Sequence, residues 1–122
     1  MVYPWLKEYC LAKPGAELDY QAEWEAWRYL VGGKMFLMVG EDNQGKAIIT
    51  LKLKPDFGEL MRQQYADIQP GYYMNKVHWN SIFLTGNVPD DLVRDMLDQS
   101  YELVFSGLTK KAQAQILAGD TK

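Results

Sequence analysis

Two turn signals, Gly32-Gly33 and Asp42-Asn43-Gln44-Gly45, divide the stretch from Trp27 to Leu53 into three short β-patterned runs. Strands joined by so few residues can pair only antiparallel, because a parallel crossover needs a dozen residues or more. Trp27-Arg28-Tyr29-Leu30-Val31 is aromatic and β-branched, the composition that suits a pleated, half-buried surface. Lys34 to Glu41 follows, with Met35, Leu37 and Val39 on one face. Lys46 to Leu53 returns, with Ala47, Ile49, Leu51 and Leu53 alternating against Lys46, Ile48, Thr50 and Lys52. This meander constrains the fold more than any other feature.

Helical patterns flank it. Tyr3, Leu6, Tyr9 and Cys10 recur at helical spacing within residues 2–12, before the breaker Pro14-Gly15. Residues 17–25 are ambiguous and are expected to begin the sheet. Pro55-Asp56 opens a helix with Asp56 as N-cap and Leu60, Met61 and Tyr65 as its apolar stripe, and Gln69-Pro70-Gly71 ends the loop after it. A strand is expected over 78–84. Pro89 and the acidic Asp90-Asp91 then start a long helix whose Val93, Leu97, Val104 and Leu108 can cover the sheet. A last short helix runs from Thr109-Lys110-Lys111 to Gly119. The predicted fold class is α+β: a single antiparallel sheet of about five strands, covered on one face by N- and C-terminal helices. The other face is left to solvent or a partner.

A chain of 122 residues with 48% hydrophobic and 24% charged residues has ordinary globular composition. It reads as one domain over 1–122. No apolar run is long enough to span a bilayer, and the N-terminus lacks a basic region followed by an apolar core, so a soluble cytoplasmic protein is expected. Cys10 is the one cysteine, which excludes an intrachain disulfide and fits a reducing compartment. It reads as a half-buried helix residue, with a catalytic thiol as the alternative.

The single histidine, His78, excludes a histidine metal cluster, and neither Ser81 nor Ser100 sits in a nucleophile elbow. No enzyme, metal or cofactor is therefore expected. By alternation His78 and Asn80 share one strand face, and Trp79 and Ser81 the other. His78 is a structural hydrogen-bonding residue or, beside Lys76, a phosphate contact. Trp79 is a packing residue or a stacking platform for a base. Asn75 is expected to fix the turn before the strand. Lys34, Lys52 and Lys54 fall near strand ends, Lys52 and Lys54 on one face, and with Lys76 they could form a local basic patch. Lys110 and Lys111 extend that patch or simply begin a solvated helix.

The net charge of −3 opposes a general basic footprint. Residues 89–109 hold much of the negative excess, with five acidic groups against one basic. Asp91, Asp95, Asp98 and Glu102 share one face of the long helix, either as a solvated face or as a weak metal site. Trp24, Trp27, Tyr29, Tyr72 and Tyr73 are candidate exposed anchors for a protein or a small ligand.

The segment Tyr72-Tyr73-Met74-Asn75-Lys76-Val77-His78-Trp79-Asn80-Ser81-Ile82 resembles the signature of the YjbR/MmcQ family. Val31-Gly32-Gly33-Lys34-Met35-Phe36, Leu51-Lys52-Leu53, Ser100-Tyr101 and Leu108-Thr109-Lys110-Lys111 fall in the matching order, so the resemblance runs from about residue 4 to residue 112. It implies a bacterial-frataxin-like (CyaY-like) fold and a double-wing DNA-binding module without enzymatic activity. The iron handling of frataxins does not carry over: their acidic ridge centres on the first helix, where this chain has only Glu8. The expectation is a monomeric, non-enzymatic binding module for double-stranded DNA, using Lys34, Lys52, Lys54, Asn75, Lys76, His78 and Trp79. An unknown protein or small ligand is the alternative partner, and no membrane is involved.

Overall fold

The computed structural model describes residues 2–71 and 75–119. Their order is α1 (Leu6–Leu11), β1 (Ala16–Gln21), β2 (Ala26–Val31), β3 (Lys34–Glu41), β4 (Ala47–Lys52), α2 (Pro55–Gln64), β5 (Ile68–Pro70), β6 (Trp79–Phe83), α3 (Asp90–Ser106) and α4 (Lys110–Leu117). The six strands form one sheet in the order β1-β2-β3-β4-β6-β5, with every neighbouring pair antiparallel. The sheet thus has six strands where the sequence suggested about five. The added strand is β5, which consists of Ile68-Gln69-Pro70 at a sheet edge. Proline is tolerated there because an edge residue can lack a ladder donor.

The β2–β3 turn follows from its glycines. Gly32 and Gly33 both adopt positive φ, 58° and 79°, the pair required by a tight hairpin whose twist matches the flanking strands. Gly32 has a second constraint: a Cβ there would lie 2.7 Å from Cδ1 of Leu108, just beyond α3.

Strand β3 departs from simple alternation. Tyr29 pairs with Leu37 but Leu30 pairs with Met35, so Phe36 is an extra residue in a β-bulge. Phe36 and Leu37 are consequently both buried in the core, and Phe36 meets the ring of Tyr101 edge-on at 5.3 Å.

Register fixes the two faces. Tyr29, Leu37 and Leu51 lie opposite one another across β2, β3 and β4, and Ile49, Ile82 and Ile68 across β4, β6 and β5. These side chains join Tyr3, Leu6 and Cys10 of the N-terminal segment and Val93, Met96, Leu97, Tyr101 and Val104 of α3 in one core. Each fully buried aliphatic or aromatic side chain contributes about 1.5–3 kcal/mol. Cys10 is fully buried rather than half-buried, and burial pushes its thiol up to about 12, which leaves it no nucleophilic character at neutral pH.

The opposite face carries a row that crosses all six strands: Asp19, Arg28, Met38, Thr50, Ser81 and Gln69. This face was expected to lie open, yet Met38, Ile48, Thr50 and Ser81 are all at most 3% exposed. Thr50 and Ser81 satisfy each other through a 2.9 Å hydroxyl pair. The open sheet face is therefore closed at its centre. At one end of the row, the Asp19 carboxylate accepts two hydrogen bonds from the Arg28 guanidinium, at 2.9 and 2.6 Å.

Two helix expectations also change. Helix α2 starts at Pro55 with Lys54, not Asp56, at its N-cap, because proline at the first helical position loses no intrahelical bond. Of its supposed stripe Met61 is buried, whereas Leu60 is exposed. Helix α4 starts as expected: the Thr109 hydroxyl caps it by accepting the Ala112 N–H at 3.1 Å.

Candidate functional site

Strand β3 begins, β4 ends and β6 begins at the same end of the sheet, beside the last turn of α3. Lys52 pairs with Trp79 across β4 and β6. Lys34 opens β3, immediately after the glycine turn. Together with Met35 and with Leu103, Val104 and Gly107 at the end of α3, these three side chains line a groove of about 340 Å³. An indole and two ammonium groups thus converge over an apolar floor. Among the described residues neither Lys34 nor Lys52 has a carboxylate partner within ion-pair distance.

Backbone contacts hold this corner in place. The Ser100 hydroxyl accepts the Lys52 N–H at 2.8 Å and donates to the Phe36 carbonyl at 2.5 Å. Gly71 fixes the start of β6. Its N–H donates to the Trp79 carbonyl at 2.7 Å, and a Cβ at Gly71 would lie 2.9 Å from that oxygen and 2.9 Å from the Trp79 Cβ. Asn75 sets the turn as expected, its Oδ1 accepting the Val77 N–H at 2.9 Å and its carbonyl accepting the Trp79 N–H at 2.9 Å. Tyr72, Tyr73 and Met74 of the signature lie outside the described residues.

The other predicted site residues do not line the groove. Strand β4 ends at Lys52, so Lys54 is not its period-2 partner; the Lys54 N–H instead donates to Gln99 at 2.8 Å. Lys76 is exposed in the turn before β6. His78 precedes the strand, so it does not share a strand face with Asn80; its carbonyl accepts the Leu53 N–H at 2.8 Å. Asn80 is fully buried on the core side, where its amide oxygen accepts from Arg62. Lys110 and Lys111 are exposed at the start of α4.

The acidic stripe of α3 is partly structural. Asp98 accepts the Tyr9 hydroxyl at 2.7 Å and pairs with Lys13, while the neighbouring Asp90 accepts the Trp5 indole N–H at 2.9 Å. Burial first, then the bond to Asp98, pushes the Tyr9 phenol up to about 12. Among the described residues no three His, Cys, Asp or Glu side chains come together as a metal site, and no helix is long and apolar enough to cross a membrane. Of the aromatic anchors, Trp24 and Trp27 are about half exposed, but Tyr29 is buried at 4%.

The architecture is thus a multi-stranded antiparallel sheet flanked by N- and C-terminal helices, with a basic, aromatic groove at one end. Residues 11–103 match the family model YjbR, and the chain belongs to the YjbR family. It is 38% identical to the uncharacterised protein YjbR of Escherichia coli K12 over 97 residues, spanning 80% of this chain and 81% of that one. It is 35% identical to the uncharacterised protein YbdF of Escherichia coli O157:H7 over 113 residues, spanning 93% and 92%. Among solved structures it is similar to protein DR2400 of Deinococcus radiodurans, a DUF419 domain, with a TM-score of 0.82 and 30% identity over 91% of this chain and 84% of that one. A Pseudomonas syringae protein shares the fold at a TM-score of 0.66 and 20% identity, over 80% of this chain and 93% of that one.

Proposed function

We propose that this chain is a non-enzymatic binding module that holds double-stranded DNA at the end of its sheet, with Lys34, Lys52 and Trp79 as the contact centre. The observation that carries this reading is their convergence in one groove, with both ammonium groups free of carboxylate partners among the described residues. Unpaired lysines suit phosphate oxygens, and an indole beside them suits a sugar or base face. Lys76, exposed in the turn before β6, extends the same reading to the neighbouring phosphate. The net charge of −3 restricts contact to this corner, because the exposed carboxylates of α3 repel a polyanion elsewhere. The double-wing and CyaY-like descriptions, a cytoplasmic location and a monomeric state belong to this same proposal.

The test is fluorescence anisotropy with a labelled duplex from low to physiological salt. Two to four phosphate contacts give a log–log salt slope of about −2 to −4. Lys34→Ala and Lys52→Ala should each reduce the slope by about 1, and Trp79→Ala should weaken binding with the slope retained. Lys76→Ala and His78→Ala test whether the turn before β6 takes part. Absence of binding at low salt would overturn the DNA reading, and equal affinity for heparin would reduce it to general polyanion attraction.

A further inference from the structure

A second hollow, of about 270 Å³, lies far along the sheet from the basic groove, lined by Lys7 of α1, Leu18 of β1, Trp27 and Tyr29 of β2, and Val39 of β3. Leu18 pairs with Tyr29 and Trp27 with Val39, so these four side chains project from one face of three adjacent strands. They supply an apolar wall, and the exposed Lys7 supplies a cation at its rim.

Tyr29 makes this hollow more than a gap in packing. Its side chain is 96% buried, being 4% exposed, yet its hydroxyl has no hydrogen-bond partner among the described residues. The other buried tyrosines behave differently: Tyr3 donates to the Val88 carbonyl at 2.7 Å and Tyr101 to the Pro14 carbonyl at 2.5 Å. Among the described residues no side-chain oxygen or nitrogen is sealed from solvent without a partner, and the hollow is the open space that Tyr29 lines. Burial first, then the nearby Cys10, keeps this phenol protonated, pushed up to about 12, so at neutral pH it can act as a donor. Among the described residues Lys7 has no carboxylate partner either.

We propose that this hollow binds a small aromatic monocarboxylate. The ring lies against Leu18, Trp27 and Val39, and the carboxylate accepts from the Tyr29 hydroxyl and faces the Lys7 ammonium. An enclosed cavity of about 150 Å³ already holds a benzene ring, so this volume takes one ring with its carboxyl group. Two convergent polar groups in an otherwise apolar pocket are what orient a small ligand. The site shares no residue with the DNA-binding groove and does not rest on that reading.

The test is ¹⁹F NMR titration of 4-fluorophenylacetate with the intact protein, with 4-fluorophenylacetamide as the uncharged comparison. Saturable binding of the carboxylate with Kd below about 1 mM is expected. Tyr29→Phe and Lys7→Gln should each weaken it about tenfold, as should the amide, because each removes one hydrogen bond or charge contact to the carboxylate. The Lys7→Gln change is at an exposed residue and keeps the comparison valid even where Tyr29→Phe perturbs packing. Absence of saturable binding below about 10 mM would overturn the proposal. So would equal affinity for the amide, which marks a merely apolar hollow, or unchanged affinity in both variants.

Discussion

The hydroxyl of Ser100, midway along α3, donates to the carbonyl of Phe36, the extra residue of the β3 bulge, at 2.5 Å. The same oxygen accepts the Lys52 N–H, so one side chain satisfies a backbone group on each of β3 and β4. Ser100→Ala strands both and is expected to cost about 2–4 kcal/mol, since each desolvated, unpaired group costs roughly 1–3 kcal/mol. Urea unfolding measures this, and a midpoint equal to wild type would show that water takes over the hydroxyl's role.

Gly71→Ala tests how Trp79 is aimed. Its new Cβ would press on the Trp79 backbone, which has no rotamer to move. The expected result is about 1–3 kcal/mol of destabilisation, as for other overpacked sites, together with weaker duplex binding. Wild-type stability with unchanged anisotropy would show that the start of β6 is free to shift.

Glu25 lies in the β1–β2 turn at φ 52°, the one non-glycine residue with positive φ among those described. That conformation costs an L-residue roughly 1–2 kcal/mol. Glu25→Gly is expected to raise Tm by a few degrees, the relief being partly offset by the greater freedom of glycine in the unfolded chain. A lower Tm would mean that the Glu25 side chain makes a stabilising contact of its own.

Alkaline pH should unfold the protein through its tyrosines. Burial, the first cause in every case, raises the phenols of Tyr3, Tyr9, Tyr29 and Tyr101, with Tyr9 and Tyr29 pushed to about 12. A raised phenol favours the folded state fully below its unfolded value near 10, and that contribution is lost as pH climbs through the folded value. Stability should therefore fall between about pH 10 and 12, and these phenolates should appear together with loss of tertiary circular dichroism. Titration of all tyrosines near pH 10 in a folded protein would contradict the burial argument.

Much of the fold was legible because its signals are local. Gly32-Gly33 and Asp42 to Gly45 announced the meander, and the alternation from Ala47 to Leu51 announced which side of β4 meets the core. What escaped depends on distant partners. Phe36 looks like an ordinary alternating residue until Ser100, 64 residues later, stabilises the bulge it creates. Ile68-Gln69-Pro70 is too short for periodicity and carries a strand-disfavouring proline, so only its pairing with β6 makes it a strand. At the candidate site, Lys34, Lys52 and Trp79 were identifiable by type and strand-end position. Their separation from Lys54 was hidden by one residue: Pro55 starts a helix and ends the alternation at Lys52. The hollow at Tyr29 was hidden for the opposite reason, since a tyrosine in a strand reads as packing until its hydroxyl is found without a partner among the described residues.

The clasp between α1 and α3 governs the order in which this protein can be completed. Tyr3 reaches Val88, Trp5 reaches Asp90, and Tyr9 and Lys13 reach Asp98, each spanning 85 to 89 residues of chain. During synthesis the segment around α1 is made well before the residues near and within α3 that hold it. At ordinary elongation rates it waits roughly 4 to 17 seconds for α3 to leave the ribosome. Through that interval Tyr3, Leu6 and Cys10 have no α3 to close over them, so the nascent chain carries their apolar face as a surface open to a chaperone.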